Sequence, residues 1–199
     1  MTSKPILIAN WKANPRTLRE ALALAKKIEL AASKQRRVEV VIAPPFPFLS
    51  AVGLALKRAK IGSQDAFWKD TGPYTGEVSW HQLKEIGVRY VIVGHSERRI
   101  FLGESDEMIN KKTRVLLEQG LTPILCVGER ERRDNEMSET IAHELTRALI
   151  TQDMRPQDRA MLNYLRANYA KFQEGANNER GDENSGVSLQ DLQFYAGLV

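Results

Sequence analysis

The chain has 199 residues, a hydrophobic share of 42%, a net charge of +4 and a single cysteine, Cys126. One cysteine excludes an intrachain disulfide and a metal site built on several thiolates, and its position inside an apolar run predicts a small buried side chain. The basic residues are scattered along predicted helices without interleaved aromatic residues, so we expect no nucleic-acid partner, and no apolar run has the length of a membrane span.

Short strands alternate with helices along the first part of the chain. Continuous apolar runs predict five strands, at Ile6–Ala9, Val38–Ala43, Lys60–Ser63, Tyr90–Val93 and Thr122–Val127. Helical spacing of apolar residues predicts five helices, at Thr17–Ser33, Phe46–Arg58, Trp80–Glu85, Asp106–Glu118 and Ser138–Ile150. Such repeated β-α units require a parallel sheet with right-handed crossovers. Periodicity alone does not distinguish a closed barrel from an open doubly wound sheet.

The composition changes beyond Thr151. Residues Gln157–Phe172 predict one amphipathic helix, because their apolar side chains form a single stripe. The polar, glycine-containing segment Gln173–Ser185 predicts a loop or disorder. The end of the chain predicts a helix start at Ser188 and then a short strand, Phe194–Val199.

These patterns predict one domain over residues 1–199, with regular β-α units in residues 1–150 and a diverged tail in residues 151–199. We expect a cytoplasmic location, because Met1–Pro5 leads into a short strand rather than into a signal-type apolar segment.

Reactive polar residues follow two neighbouring strands. The strand Tyr90–Val93 leads through a glycine to His95, and the strand Thr122–Val127 leads to Gly128 and Glu129. In parallel sheets, functional residues gather at the carboxyl ends of the strands, so we predict a catalytic site at His95. A histidine in this position is otherwise more often a structural hydrogen-bonding group. The chain has no dinucleotide-binding fingerprint after its first strand and no phosphate-binding glycine-rich loop ending in Lys-Ser or Lys-Thr, which argues against nucleotide binding.

Several motifs, in a fixed order, resemble the triosephosphate isomerase family. They are Ile8-Ala-Asn-Trp-Lys12, Ile42-Ala-Pro-Pro45, Gln64-Asp-Ala-Phe67, Tyr74-Thr-Gly-Glu-Val-Ser79, Gly94-His-Ser-Glu-Arg-Arg99, Gly103-Glu-Ser-Asp106 and Leu121-Thr-Pro-Ile-Leu-Cys-Val-Gly-Glu129. The resemblance covers residues 4–150. It implies an α/β fold of the (β/α)8 TIM-barrel type, incomplete here because only five β-α units are readable. It also implies interconversion of dihydroxyacetone phosphate and glyceraldehyde 3-phosphate, in glycolysis and gluconeogenesis, without a metal or an organic cofactor.

The resemblance implies roles for four residues. Asn10 and Lys12 would bind the phosphorylated triose, and Lys12 would stabilise the negative charge of the enediolate. His95 would polarise the carbonyl group and carry protons between its two oxygens. The dipole of a helix beginning just after His95 would keep the ring neutral, an effect known for this family. Glu97 would organise the catalytic lysine by charge pairing.

The resemblance also implies a homodimer. The loop of Tyr74, Thr75, Gly76 and Glu77 would insert into a neighbouring subunit, with Thr75 reaching towards its active site. The remaining charged residues near His95 would have structural roles as ion pairs between loops: Arg98, Arg99 and Glu104.

Two parts of the family's site lack a clear counterpart in the sequence. The family's general base is a glutamate in a Glu-Pro-Val-Trp-like motif that opens a lid, and no such motif occurs in the 199 residues. The family's phosphate loops are resembled only by Ser185-Gly-Val187 and the closing Ala196-Gly-Leu-Val199, so Ser185 and Gly186 are the candidates for phosphate binding. A deletion between Thr151 and Gln157 would explain the loss of the sixth strand and its lid.

The sequence therefore leaves three functions open. The first is triosephosphate isomerase activity. The second is a catalytically impaired or inactive relative that acts as a phosphate-ligand-binding or assembly protein, which the absence of the base favours. The third, a different phosphosugar enzyme on the same scaffold, would need a new base, and no residue suggests one.

Overall fold

The structure is a computed structural model that describes residues 5–34 and 37–127 and the backbone of a strand at residues 194–197. Strands and helices alternate along the described residues, in the order β1 Ile6–Asn10, α1 Leu18–Lys34, β2 Glu39–Ala43, α2 Phe46–Ala55, β3 Lys60–Ser63, α3 Trp80–Glu85, β4 Tyr90–Val93, α4 Ser96–Leu102, α5 Asp106–Glu118, β5 Thr122–Val127 and β6 Phe194–Gly197. All five strands predicted in residues 1–150 are confirmed, and so is the helix expected directly after His95. The short strand at the end of the chain is confirmed over Phe194–Gly197. The helices predicted at Ser138–Ile150, at Gln157–Phe172 and from Ser188, and the loop at Gln173–Ser185, lie outside the described residues.

Strands β1 to β5 follow one another in the sheet in chain order. Each neighbouring pair from β1 to β5 is parallel, as in the registers Ile8 opposite Val41, Gly62 opposite Tyr90 and Ile92 opposite Ile124. Since each of these strands follows a helical crossover from its neighbour, the sheet is that of successive β-α units. The predicted α/β class with a parallel sheet is therefore confirmed.

Contacts between Cα atoms group the chain into two compact units. The first contains residues 1–93, 111–125 and 197–199, and the second contains residues 94–110 and 126–196. Strands β1–β4 and helices α1–α3 thus belong to the first unit and α4 to the second. One domain over residues 1–199 stays a prediction.

The core of the first unit explains why its strands are continuous apolar runs in the sequence. The central strands are buried, with Val41 and Ile42 in β2 and Val91 and Ile92 in β4 almost inaccessible to solvent. Helix α1 packs against β2 and α2. Its buried residues share one stripe: Ala21, Ala25 and Ala32.

A buried ion pair connects α5 to the loop after β3 within the first unit. The Nζ of Lys112 lies 2.7 Å from Oδ1 and 2.8 Å from Oδ2 of Asp65. The two side chains are 2% and 5% exposed, respectively. Because both carboxylate oxygens contact the ammonium group, the pair compensates part of the cost of removing two charges from water.

Helix α2 is shorter than the sequence predicts. We expected it to extend to Arg58, but it ends at Ala55, and Leu56 has an extended conformation. The carboxylate of Glu29, on α1, accepts hydrogen bonds from the backbone N–H groups of Arg58 at 2.7 Å and Ala59 at 3.0 Å. These donors are bonded to a distant side chain instead of to helical carbonyl groups, which is why the local helical pattern overestimates the length of α2.

Replacing Glu29 by glutamine is expected to lower the free energy of unfolding by about 0.5–1 kcal/mol at neutral pH, because an amide provides one acceptor where the carboxylate provides two. Burial raises the pKa of Glu29, but the hydrogen bonds from the backbone at Ala59, Arg58 and Lys57 outweigh it, so the pKa lies below its usual value. The stabilisation is therefore present above the pKa of an unfolded glutamate and is lost as the pH falls through the folded-state pKa. Urea unfolding across this range should show the difference between the native and Glu29→Gln chains shrinking on acidification. The exposed Glu118→Gln variant is the control, and a pH-independent difference would contradict the prediction.

Candidate active site

In the first unit, Lys12 follows β1 in an unusual backbone conformation. Its φ is 53°, and among the described residues it is the one non-glycine with a positive φ. A non-glycine residue in the left-handed region costs about 1–2 kcal/mol. The conformation is supported locally, because the N–H of Lys12 donates to Oδ1 of Asn10 at 2.9 Å. Strain of this kind gathers at functional sites, where the surrounding structure maintains it.

The side chain of Gln64 forms a second hydrogen bond to the backbone of Lys12. It lies directly after β3, and its Nε2 donates to the carbonyl oxygens of Lys12 and Ala43, both at 2.9 Å. The carbonyl of Ala43, at the end of β2, also accepts the N–H of Trp11 at 3.0 Å. The sequence marks Gln64 only as the first residue of a family-like motif, and its bond to Lys12 spans 52 positions. No local pattern indicates such a contact.

In the second unit, His95 is the N-cap residue of α4. Its side chain is buried, and its Nδ1 accepts the backbone N–H of Glu97 at 3.3 Å. A ring nitrogen that accepts a backbone N–H carries no proton, so this contact favours the neutral ring with its proton on Nε2. Oε2 of Glu97 lies 3.5 Å from the same Nδ1, and a carboxylate at this distance favours the charged ring.

Ion pairs hold α4 in place within the second unit. Nε of Arg98 lies 3.1 Å from Oε2 of the buried Glu104, and Nη1 of Arg99 lies 2.6 Å from Oδ1 of Asp106. Nε of Arg99 also donates to the carbonyl of Gly94 at 2.9 Å. The ion pairing predicted for Arg98, Arg99 and Glu104 is confirmed, but both arginines lie on α4 and not in a loop. The bond from Arg99 to Gly94 holds the backbone just before His95, and the ion pair of Arg98 with Glu104 connects α4 to the residues that follow it.

Comparison with known proteins identifies the family. The family model described as triosephosphate isomerase matches residues 5–164 of this chain. The chain belongs to the triosephosphate isomerase family. The resemblance found in the sequence is thereby confirmed, and the predicted α/β fold of the TIM-barrel type, with an incomplete set of β-α units, is confirmed with it.

Individual triosephosphate isomerases are similar to this chain over most of its length. The enzyme of Thermoanaerobacter pseudethanolicus is 43% identical over 150 residues, which are 73% of this chain and 60% of the relative. That of Alkaliphilus oremlandii is 42% identical over 165 residues, 81% of this chain and 66% of the relative. That of Alkaliphilus metalliredigens is 44% identical over 147 residues, which are 72% of this chain and 58% of the relative. The chain thus spans about six tenths of the length of the curated relatives it matches.

Of the residues predicted for the isomerase site, Asn10 and Lys12 lie at and just after the end of β1, and His95 and Glu97 lie just after β4. Each pair thus follows the carboxyl end of a parallel strand, as predicted. The roles of these four residues stay predictions. Ser185 and Gly186 lie outside the described residues.

The loop predicted for a dimer interface is exposed. Residues 74–77 all lie on the surface, with Gly76 at a φ of 90° and the N–H of Glu77 donating to the carbonyl of Tyr74 at 3.1 Å. The ring of Tyr74 lies 4.8 Å from that of Phe67, which anchors the loop at its first residue. The part taken by Tyr74, Thr75, Gly76 and Glu77 in a dimer stays a prediction.

The single cysteine is buried as predicted. Burial raises the pKa of the Cys126 thiol to about 12, with Arg99 lowering it and Glu104 raising it by smaller amounts. The thiol is therefore protonated at neutral pH and is a poor nucleophile.

Neither a metal site nor a membrane helix is found in the part of the chain that the structure describes. No three side chains of histidine, cysteine, aspartate or glutamate gather there in a way that would hold a metal ion. No helix among the same residues combines the length and the hydropathy needed to cross a bilayer.

Replacing Gly94, the residue before His95, by alanine is expected to lower the free energy of unfolding by about 2–3 kcal/mol, because backbone strain adds to crowding. The φ of Gly94 is 72°, and a Cβ there would lie 3.0 Å from Cδ1 of Ile109. Gly120 is the matched control, since its φ is 71° and a Cβ would meet no atom within 4 Å. Gly120→Ala should cost only about 1–2 kcal/mol, the strain alone. If urea unfolding shows equal losses of unfolding free energy in the two variants, the added Cβ at Gly94 does not crowd Ile109.

Proposed function

We propose that this chain acts as a triosephosphate isomerase that interconverts dihydroxyacetone phosphate and glyceraldehyde 3-phosphate. The observation that carries the proposal is the buried imidazole of His95, whose Nδ1 accepts the backbone N–H of Glu97 at the start of α4, a contact that favours the neutral ring. A neutral ring with one proton both donates to a carbonyl oxygen and accepts from a hydroxyl after a tautomeric change. The family match over residues 5–164 includes this histidine and supports the same reaction.

The isomerisation moves a proton between two neighbouring carbons through an enediolate. In our proposal, Asn10 and Lys12 bind the triose phosphate, and the ammonium group of Lys12 stabilises the charge that develops on the enediolate oxygens. His95 moves the proton between these oxygens, and Glu97 organises the catalytic lysine by charge pairing. Ser185 and Gly186 bind the phosphate. The proposed reaction needs neither a metal nor an organic cofactor.

No residue is assigned as the general base that removes the proton from carbon. The family's Glu-Pro-Val-Trp-like motif does not occur among the 199 residues. This observation favours the second candidate, a catalytically impaired relative that binds a phosphate ligand or serves in assembly.

We further propose that the chain forms a homodimer through the loop of Tyr74, Thr75, Gly76 and Glu77, and that it works in the cytoplasm. The exposure of all four residues supports an interface there. Light scattering of the purified chain measures the mass directly, and a monomer at micromolar concentration would contradict the dimer.

The deciding experiment is the turnover of glyceraldehyde 3-phosphate by the purified chain, with the His95→Gln chain prepared in the same way to detect contaminating host enzyme. Turnover that disappears in the variant supports the isomerase and requires a base that the sequence does not reveal. Binding of glycerol 3-phosphate without turnover supports the phosphate-ligand-binding relative instead. Absence of both from a folded protein contradicts the proposed function.

A further inference from the structure

We propose that Gln64 is a positioning residue that holds Lys12 in its left-handed conformation and so directs the ammonium group in the reaction proposed above. The inference rests on the proposed function for its catalytic meaning. Its structural content rests on the two hydrogen bonds from Nε2 of Gln64, to the carbonyl oxygens of Lys12 and Ala43.

The chemistry of the contacts fixes how the Gln64 amide is oriented. Carbonyl oxygens only accept hydrogen bonds, so both neighbours require the NH₂ group and not the side-chain oxygen. Both N–H bonds are used, one on each carbonyl. Gln64 thus bridges the peptide after Lys12 to the end of β2 through a single nitrogen atom.

The hydrogen bonds of Gln64 connect Lys12 to two strands, β2 and β3. Gln64 itself follows β3, Ala43 ends β2, and the N–H of Trp11 donates to the same Ala43 carbonyl at 3.0 Å. Lys12 therefore has its carbonyl fixed by Gln64 and its N–H fixed by Oδ1 of Asn10. Side chains held by strands in this way are placed more accurately than those on free loops.

Lys12 depends on such support more than an ordinary lysine would. A positive φ is unfavourable for a residue with a Cβ, so the peptide tends to rotate to a negative φ when the bonds that oppose it are removed. Rotation about φ changes the direction of the Cα–Cβ bond and moves the ammonium group at the end of a long, flexible side chain. A charge that stabilises an enediolate must be in position before the reaction.

The test replaces Gln64 by methionine, which keeps an unbranched side chain of similar length but has no donor. Because small misplacements of a catalytic group are costly, kcat/KM for glyceraldehyde 3-phosphate should fall by about 10–100-fold. Gln82→Met is the matched control, since Gln82 also bonds to the backbone, accepting the N–H of Ser79 in the capping box of α3. We expect this control to leave kcat/KM unchanged.

A double substitution separates positioning from a general structural effect. In a Lys12→Met chain there is no ammonium group to position, so Gln64→Met should cause no further loss of kcat/KM. An equal loss in the native and the Lys12→Met backgrounds would overturn the proposal, because Gln64 would then act independently of Lys12.

A third measurement does not require activity. Backbone hydrogen exchange should become about tenfold faster at the Lys12 amide in Gln64→Met, because removing the hydrogen bonds of Gln64 loosens the peptide, and should stay unchanged in Gln82→Met. Unchanged exchange at Lys12 would overturn the proposal whatever the activity. If the native chain neither turns over glyceraldehyde 3-phosphate nor binds glycerol 3-phosphate, the proposed function fails, while exchange at Lys12 still decides whether Gln64 holds it.

Discussion

Replacing Lys112 by methionine is expected to lower the free energy of unfolding by about 3–5 kcal/mol, since it leaves the carboxylate of Asp65 buried without its ammonium partner. The two side chains are 2% and 5% exposed, and both carboxylate oxygens lie within 2.8 Å of Nζ. Methionine has nearly the shape of the lysine stem, so the cost reports the uncompensated charge and not a cavity. Urea unfolding monitored by circular dichroism measures it.

Lys111→Met is the matched control for this substitution. Lys111 is the preceding residue on α5, and its side chain is exposed, with Nζ 5.8 Å from the ring of Trp68. Its replacement should change the free energy of unfolding by no more than about 0.5 kcal/mol. Similar losses in the two variants would show that the Asp65–Lys112 pair is not buried in solution.

The double variant Asp65→Ala with Lys112→Met tests the origin of the loss. Removing both charges eliminates the buried unpaired carboxylate, so the double variant should be less destabilised than the sum of the two single variants. Simple additivity would indicate that the two residues act independently.

The second large effect is expected in catalysis, if the proposed isomerase activity holds. His95→Gln should lower kcat by about 10²–10⁴-fold, because glutamine neither gives up nor receives a proton between the two oxygens. KM should change little, because the substrate is bound mainly by other groups. Steady-state kinetics with glyceraldehyde 3-phosphate measures both constants.

His81→Gln is the control for His95→Gln. His81 lies on α3, and its side chain is 54% exposed, next to Asp70. Its replacement should leave kcat unchanged. A kcat for His95→Gln within a factor of about three of the native value would be inconsistent with general acid–base catalysis by this residue.

The sequence was a good guide wherever neighbouring residues decide the structure. The strands Tyr90–Val93 and Thr122–Val127 were predicted with the bounds that the structure has. Buried parallel strands are apolar on both faces, and this gives each of them a short, continuous apolar run in the sequence. The helix after His95 follows from its local sequence in the same way, and the motifs around it resemble those of the family that the comparison shows.

The failure at the end of α2 has a physical cause. Residues Lys57 and Arg58 fit a helix, but Glu29, a residue of another helix, bonds the backbone N–H groups of Arg58 and Ala59. A carboxylate that reaches the backbone from a distant position competes with the helix, and a local pattern contains no information about it.

The sequence by itself determined the parallel α/β units, the family, the burial of Cys126 and the candidate residues Asn10, Lys12 and His95, because each depends on a run or a motif of adjacent residues. Only the tertiary structure decided how these groups are held. The left-handed Lys12 with Gln64 on its carbonyl and the ion pair of Asp65 with Lys112 join residues about 50 positions apart. Hydrogen bonds and charge pairs act over a few ångströms in space, so they depend on the folded arrangement of strands and not on the order of residues along the chain.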